Sequence, residues 1–440
     1  MKYDKFFVAA KEAGIEEAEL YIHEEDSLSF ELFHSEVVSY SNNKAMTIVA
    51  RGIINGKFGA ASCDTWNNDK CAYLVKEIKE NALVVENDDP AIIFAGSPKY
   101  SRLNTFNKNL ANVTFEEKLN KAKELEAKIK EADARINEVA EVVYREVNEA
   151  TSIYNSKGLK LNGKTNYFYI YGVGVAEQNG QVKSGFELFL DNDFSKFDAS
   201  KFAKKIADTT TGQLGGEPCE SQKYKAVLSP SVVDSLLHAY VDYASSDEVQ
   251  KKSSLFIGKL NEKVASNKIT IEDRPLERTV FARTFDDEGV ATYNKPIIKN
   301  GVLVNYLYNL KTAAKEGCET TGNGFKHGAQ MGVSPAFIWL KPGNKTQEEL
   351  FNKVGNGVYI TEVSGLHAGL NSQSGNFSLQ SSGYLIKNGK KDRPLDIITI
   401  SGNLMKIFED TLEVGNDTEV TPSASSVQSI LIKELSVSGK

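Results

Sequence analysis

Apolar and polar residues alternate along several stretches of this chain, and the alternating stretches come in pairs divided by Asn-Gly. That dipeptide supplies two residues tolerant of positive φ, the backbone of a tight hairpin turn. It occurs at Asn55-Gly56, Asn162-Gly163, Asn179-Gly180, Asn300-Gly301, Asn323-Gly324, Asn356-Gly357 and Asn388-Gly389. Four of these predict hairpins: MTIVARGII with KFGAAS, YFYIYGVGVAEQ with QVKSGFELFL, KPIIK with VLVNYLYNL, and GYLIK with KKDRPLDIITI. Antiparallel sheet is therefore expected from end to end. No fixed period separates the turns, which gives no support to a propeller or solenoid.

Helical periodicity punctuates the sheet. Thr114 followed by Glu117 makes a capping box, and Phe115, Leu119, Ala122, Leu125, Ile129 and Ala132 then recur at spacings of three and four. The Lys- and Glu-rich remainder of this helix is expected to face solvent. A second helix is predicted to start at Ser229 as N-cap with Pro230 in the first position, burying Val233, Leu236, Leu237, Tyr240, Val241 and Ala244. The segment TTTGQLGGEPCESQKY, residues 209–224, breaks the periodicity most clearly and places a domain boundary there. The expected division is 1–215 and 216–440.

Composition narrows the function classes. The 440 residues carry 52 Lys plus Arg against 59 Asp plus Glu, a net charge of -7. That sign disfavours a protein whose affinity comes from neutralising phosphates, so no direct nucleic-acid binding is expected. No signal-like or membrane-length apolar run is visible, and a cytoplasmic location is expected. Cys63, Cys71, Cys219 and Cys318 show no C-x-x-C spacing and read as free thiols.

Candidate chemistry is sparse. No phosphate-binding loop, dinucleotide fingerprint or G-x-S-x-G elbow occurs. Gly172 and Gly174 lie in an alternating strand, where a bulge or close packing explains them. The five histidines are His23, His34, His238, His327 and His367. Asp234, His238 and Asp242 follow at i, i+4 and i+8 on the second helix, which suits either a polar helix face or a carboxylate-oriented imidazole serving as ligand or base. His367 sits in the Gly- and Ser-rich SGLHAGLNSQSG, where a surface position and a ligand contact are both open. Asp286, Asp287 and Glu288, followed by Gly289, form an acidic run that is either a solvated turn or a cleft edge accepting hydrogen bonds from a peptide. The cleft alternative makes Asp286, Asp287, Glu288, Gly289 and His367 the candidate peptide-binding residues.

Taken in order, AELYIHEEDSLSFELFHSEVVSYSNNKAMTIVARGIINGKFGAAS, NSKGLKL, SLFIGKL, RTFDDEGVATYNKPIIKNGVLVNYLYN, TTGNG, GNFSLQSSGYLIKNGK and ITISGNL resemble the TldD/PmbA family of metallopeptidase-related proteins over essentially the whole chain. The resemblance implies an α+β fold with an N-terminal α/β half and a C-terminal half rich in antiparallel β-sheet. In that family the TldD type carries an H-E-x-x-x-H helix whose histidines, with a later cysteine, bind zinc, and the PmbA type, also called TldE, lacks it. The matching stretch here is Leu237 to Tyr243: His238 stands for the first ligand, Ala239 for the catalytic Glu and Tyr243 for the second His. No cysteine follows Cys318. The chain therefore resembles the PmbA type. By that resemblance it has no catalytic or metal-binding residue of its own, binds no cofactor, and pairs with a zinc-bearing TldD-type subunit, or with itself, to degrade unfolded or leader-type peptides. A homodimeric regulator akin to a modulator of DNA gyrase, and an independent hydrolase with a divergent metal site at His238, are the alternatives.

Overall fold

The computed structural model describes residues 3–327 and 330–440, with the side chain of His327 outside the described set. Its N-terminal half is one antiparallel sheet of six long strands: β1 Glu17–Phe33, β2 Glu36–Ile54, β3 Lys57–Cys63, β4 Ile136–Asn155, β5 Lys160–Gln178 and β6 Gln181–Asp191, in the order β3-β2-β1-β4-β5-β6. Side chains alternate between the two faces of a strand. Leu20, Ile22, Phe30 and Leu32 of β1 point to the side covered by helices. There α1 (Asp4–Glu12) and α2 (Asn68–Leu83) pack on one end, and α3 (Phe115–Ala132) and α4 (Ala199–Thr211) on the other. Gly172 and Gly174 lie where these helices come closest. A Cβ at Gly172 would stand 2.8 Å from Ile129 Cδ1, so close packing is the correct account of that glycine.

The C-terminal half builds a barrel. Strands 390–403, 376–387, 357–364, 222–228 and 430–438 follow one another, and the first pairs with the last to close the ring. The neighbouring strands 222–228 and 357–364 are parallel, and the other pairs in the ring are antiparallel. A second sheet of short strands lies beside it, and α5 (Pro230–Val241) shares one core with both. Its predicted stripe, Val233, Leu236, Leu237, Tyr240, Val241 and Ala244, is buried throughout, although Ala244 falls in the 3-10 turn Asp242–Ala244 that follows the helix. No described helix is long and apolar enough to cross a membrane.

All four predicted hairpins form. Both residues of each turn, from Asn55-Gly56 to Asn388-Gly389, have φ between 49° and 82°. Three expectations need adjustment. VLVNYLYNL is strand only at Val302–Leu303, and its last residue, Asn309, instead caps the helix Leu310–Glu316 by accepting from Thr312 N at 2.8 Å. The helix α4 runs on to Thr211, so the break is shorter than the composition suggested. The polar side of α3 is not wholly solvated: Lys118 is buried on Glu146 at 2.8 Å, and Glu126 accepts from Ser35 N and Oγ at 2.8 and 2.9 Å. That carboxylate secures the β1–β2 turn at His34-Ser35, where two non-glycine residues hold positive φ of 52° and 62°.

The two halves meet through buried charge. Glu19 and Arg51, on β1 and β2, form an ion pair, with Arg51 Nε 3.1 Å from Glu19 Oε1. Against it lies the loop 286–289. Asp286 is fully buried and accepts three backbone N–H groups, from Glu288 at 3.0 Å, Val290 at 2.9 Å and Gly324 at 2.9 Å. Asp287 accepts from Tyr21 Oη at 3.2 Å, from Lys326 N at 2.9 Å and from the Arg283 guanidinium. Glu288 accepts from Leu310 N at 2.8 Å. Gly289 has φ +85°, and its carbonyl accepts from Tyr100 Oη at 2.7 Å. Burial and the charge of Glu288 push the Asp286 pKa well upward against its three donors. Among the described residues Lys326 Nζ has no hydrogen-bond partner, and it lies 3.6 Å from the centre of the Tyr21 ring. Burial, with Arg51 nearby, brings Lys326 down to about 7, although Asp287, Glu19 and Glu288 pull the other way.

Two outcomes follow from this seam. Asp286→Ala strands three buried N–H donors at about 1–3 kcal/mol each, so urea unfolding should show a loss of about 3 kcal/mol or more. A loss under about 0.5 kcal/mol would contradict the buried network. The depressed Lys326 binds its proton less readily folded than unfolded. Native stability relative to Lys326→Met should therefore rise between about pH 7 and pH 10, by up to about 1.4 kcal/mol per pH unit. Parallel stability curves for the two proteins would refute this.

Candidate functional site

The helix α5 begins with Ser229 Oγ accepting from Val232 N at 3.3 Å and with Pro230 in its first turn. This start fixes which side chains face inward. Asp234 is one of them: its Oδ1 accepts from Thr421 Oγ1 at 3.1 Å and from Ser425 Oγ. His238 Nε2 lies 3.4 Å from the same oxygen, a long contact for a hydrogen bond. Burial raises the Asp234 pKa, but His238, Ser425 and Thr421 outweigh it and hold the carboxyl below its ordinary value. Asp234 is thus anchored with His238 beside it, the Nε2 of which has no hydrogen-bond partner among the described residues, and the row 234–238–242 is not a uniformly solvated face.

One turn further along, Ala239 and Tyr243 line a cavity of about 500 Å³, together with Asp242, Glu248, Met331 and Ser372. Tyr243 is buried, and its hydroxyl donates to the Ser372 carbonyl at 2.6 Å. These residues do not fit a zinc ion. A structural or catalytic zinc needs at least three good protein ligands. Ala239 has no donor atom, the Tyr243 hydroxyl is already engaged, and among the described residues no group of three potential ligands includes His238.

The residues proposed as peptide contacts form no shared open site. Asp286, Asp287 and Glu288 are at most 4% exposed, with their oxygens turned to protein donors, so they are neither a solvated turn nor an open cleft edge. Burial lifts the Glu288 pKa despite the opposing charge of Arg51. His367 is exposed on the one-turn helix Leu366–Gly369, and among the described residues no hydrogen bond or ion pair joins it to the carboxylates. Gly289 is a packing position: a Cβ there would lie 2.6 Å from Leu159 Cδ2.

A cluster missed by sequence reading lies on the uncovered face of the N-terminal sheet. One ligand atom each from His23, Glu25 and Glu149 falls within 4.8 Å of the others, and all three side chains are half-buried. His23 and Glu25 are two apart on one strand and so share a face, which their spacing could have revealed. Glu149 joins them only through the β1–β4 register, where it lies directly opposite Glu25.

Comparison with known proteins matches the second part of the N-terminal half and the whole C-terminal half. Residues 108–214 match the PmbA/TldA metallopeptidase central domain, and residues 221–439 the PmbA/TldA metallopeptidase C-terminal domain. A metalloprotease PmbA homolog from Buchnera aphidicola is 29% identical over 269 residues, 60% of this chain and 57% of that protein. The chain therefore spans less than two thirds of that relative's length. Over 99% of both chains, the crystal structure of a candidate modulator of a DNA gyrase from Thermotoga maritima is 30% identical, with a TM-score of 0.92. TldE from Thermococcus kodakarensis, at 20% identity and full coverage, shares the fold with a TM-score of 0.90. With its central and C-terminal domains matched and its whole length superposed on a 30%-identical structure, the chain belongs to the PmbA/TldD metallopeptidase family.

Proposed function

We propose that this chain is the non-zinc subunit of a two-component peptidase, pairing with a zinc-bearing relative and contributing peptide binding and enclosure for unfolded or leader-type peptides. The observation that carries this reading is the occupancy of α5: Ala239 and Tyr243 stand where a zinc helix needs a carboxylate and an imidazole, and Tyr243 is committed to Ser372. The cavity beside them remains, at about 500 Å³. A site that loses its ligands but keeps its walls can still confine an extended chain, whose backbone groups need partners once water is excluded. The hydrolytic metal then belongs to the partner. A self-paired regulator is the second reading, favoured by the gyrase-modulator description of the Thermotoga maritima structure. The net charge of -7 argues against direct contact with DNA in either case.

The reading predicts that the purified chain alone leaves an unfolded peptide intact, while a mixture with a zinc-bearing relative forms a complex and cleaves it. Cleavage by this chain alone, abolished by His238→Ala, would establish an independent hydrolase instead. Self-association with no complex formed would favour the regulator.

A further inference from the structure

The open face of the N-terminal sheet carries an arrangement unused so far. Glu25 and Glu149 lie directly opposite each other on adjacent strands, where like charges destabilise a sheet. The protein answers this only in part. Arg145 Nη2 donates to Glu25 Oε1 at 3.1 Å and Tyr167 Oη to Glu149 Oε1 at 3.3 Å, and among the described residues no donor reaches the second oxygen of either carboxylate. His23 completes the cluster on the same face. A recess of about 130 Å³ opens beside it, between Glu149, Thr151 and Thr165 of the sheet and Phe285 of the C-terminal half. Arg283 also borders the recess, with its guanidinium paired to Asp287.

Next to this recess the face is aromatic. Tyr167, Tyr169 and Tyr171 alternate along β5 and so project together. The rings of Tyr169 and Tyr171 are 6.4 Å apart and nearly parallel, close to the ~6.6 Å between alternate side chains of an extended strand. Tyr171 Oη donates to Glu141 at 3.5 Å, and the charges of Glu141 and Glu31 both reach this ring. The face thus sets four carboxylates, Glu25, Glu31, Glu141 and Glu149, around Arg145, with Arg283 at the edge of the recess already paired to Asp287. The C-terminal half covers one end, where Thr165 Oγ1 donates to the Val280 carbonyl at 3.2 Å.

We infer that this face binds an extended peptide by its positively charged side chains, with a lysine ammonium or arginine guanidinium seated between Glu25 and Glu149 and its aliphatic stem against the β5 tyrosines. The inference rests on the peptide-handling reading above and deepens it by naming the substrate as cationic. Charge complementarity selects the occupant. Arg145 already places a guanidinium on Glu25, and aromatic faces attract organic cations through their quadrupole. Flanking tyrosines favour such a group over a hard metal ion, which takes oxygen ligands and water.

The test is fluorescence anisotropy with the full chain in EDTA, comparing a labelled extended peptide bearing lysine at alternate positions with its norleucine counterpart. The lysine peptide should bind at least tenfold tighter, and Glu25→Gln/Glu149→Gln should erase that preference. The double variant should melt no lower than the native chain, since it removes a repulsion. Equal affinity for both peptides, or a preference unchanged in the variant, would overturn the inference. So would a lysine preference absent in EDTA and restored by zinc or manganese, which would make the cluster a metal site. Cleavage of an uncharged unfolded peptide by the two-subunit complex is scored separately. If that cleavage occurs without any lysine preference in binding, the inference falls and the subunit reading stands. A lysine preference in binding with no cleavage of any peptide has the reverse meaning.

Discussion

The desolvated charge network between the two halves is the constraint on which the rest of the structure depends. Glu19, Asp286, Asp287 and Glu288 are buried against Arg51 and the Nζ of Lys326, and Arg283 meets Asp287 at the partly exposed edge of the network. A buried charge that loses its partner costs several kcal/mol, so such a network tolerates few alternative arrangements of its members. Tyr21 must meet Asp287, and Gly324 must present its amide to Asp286. The register of β1 and β2 is thereby tied to a loop of the C-terminal half. That tie holds Phe285 over Gly163, whose added Cβ would lie 3.3 Å from the ring, and so shapes the recess beside Glu149.

Local physics was legible in the sequence, and long-range physics was not. An Asn-Gly pair set between two alternating stretches carries its own instruction, and the four predicted hairpins formed accordingly, whereas Asn162-Gly163, Asn323-Gly324 and Asn356-Gly357, not read as hairpins, take no positive φ. Thr114 and Ser229 announced two helix starts for the same reason. The β1–β2 turn gave no such signal. His34 and Ser35 hold their unusual backbone through Glu126, a residue 91 positions from Ser35. The acidic run at 286–288 was misjudged in the same way: Tyr21, a partner of Asp287, lies 266 positions away in sequence. Three adjacent acids look solvated until the opposing cations and backbone amides are in place.

The candidate site divides along the same line. The departure of Ala239 and Tyr243 from a zinc helix is a property of residue types, and it could be read directly. Only the structure shows that Tyr243 is spent on the Ser372 carbonyl, that Asp234 is bound to Thr421 and Ser425 with His238 beside it, and that a cavity lies next to them. Shared fold with TldE of Thermococcus kodakarensis establishes architecture alone at 20% identity. The functional argument rests on the side chains of this chain: a cavity beside α5 where Ala239 and Tyr243 supply no zinc ligand, and an acidic, aromatic face on the N-terminal sheet.

Metal stoichiometry of the assembled complex tests the central claim most directly. The purified chain is combined with a zinc-bearing relative, dialysed against EDTA-treated buffer with limiting zinc, and analysed for metal per mole of each subunit. The account predicts one zinc per pair, unchanged by His238→Ala in this chain. Two zinc ions per pair, with one lost in that variant, would contradict it.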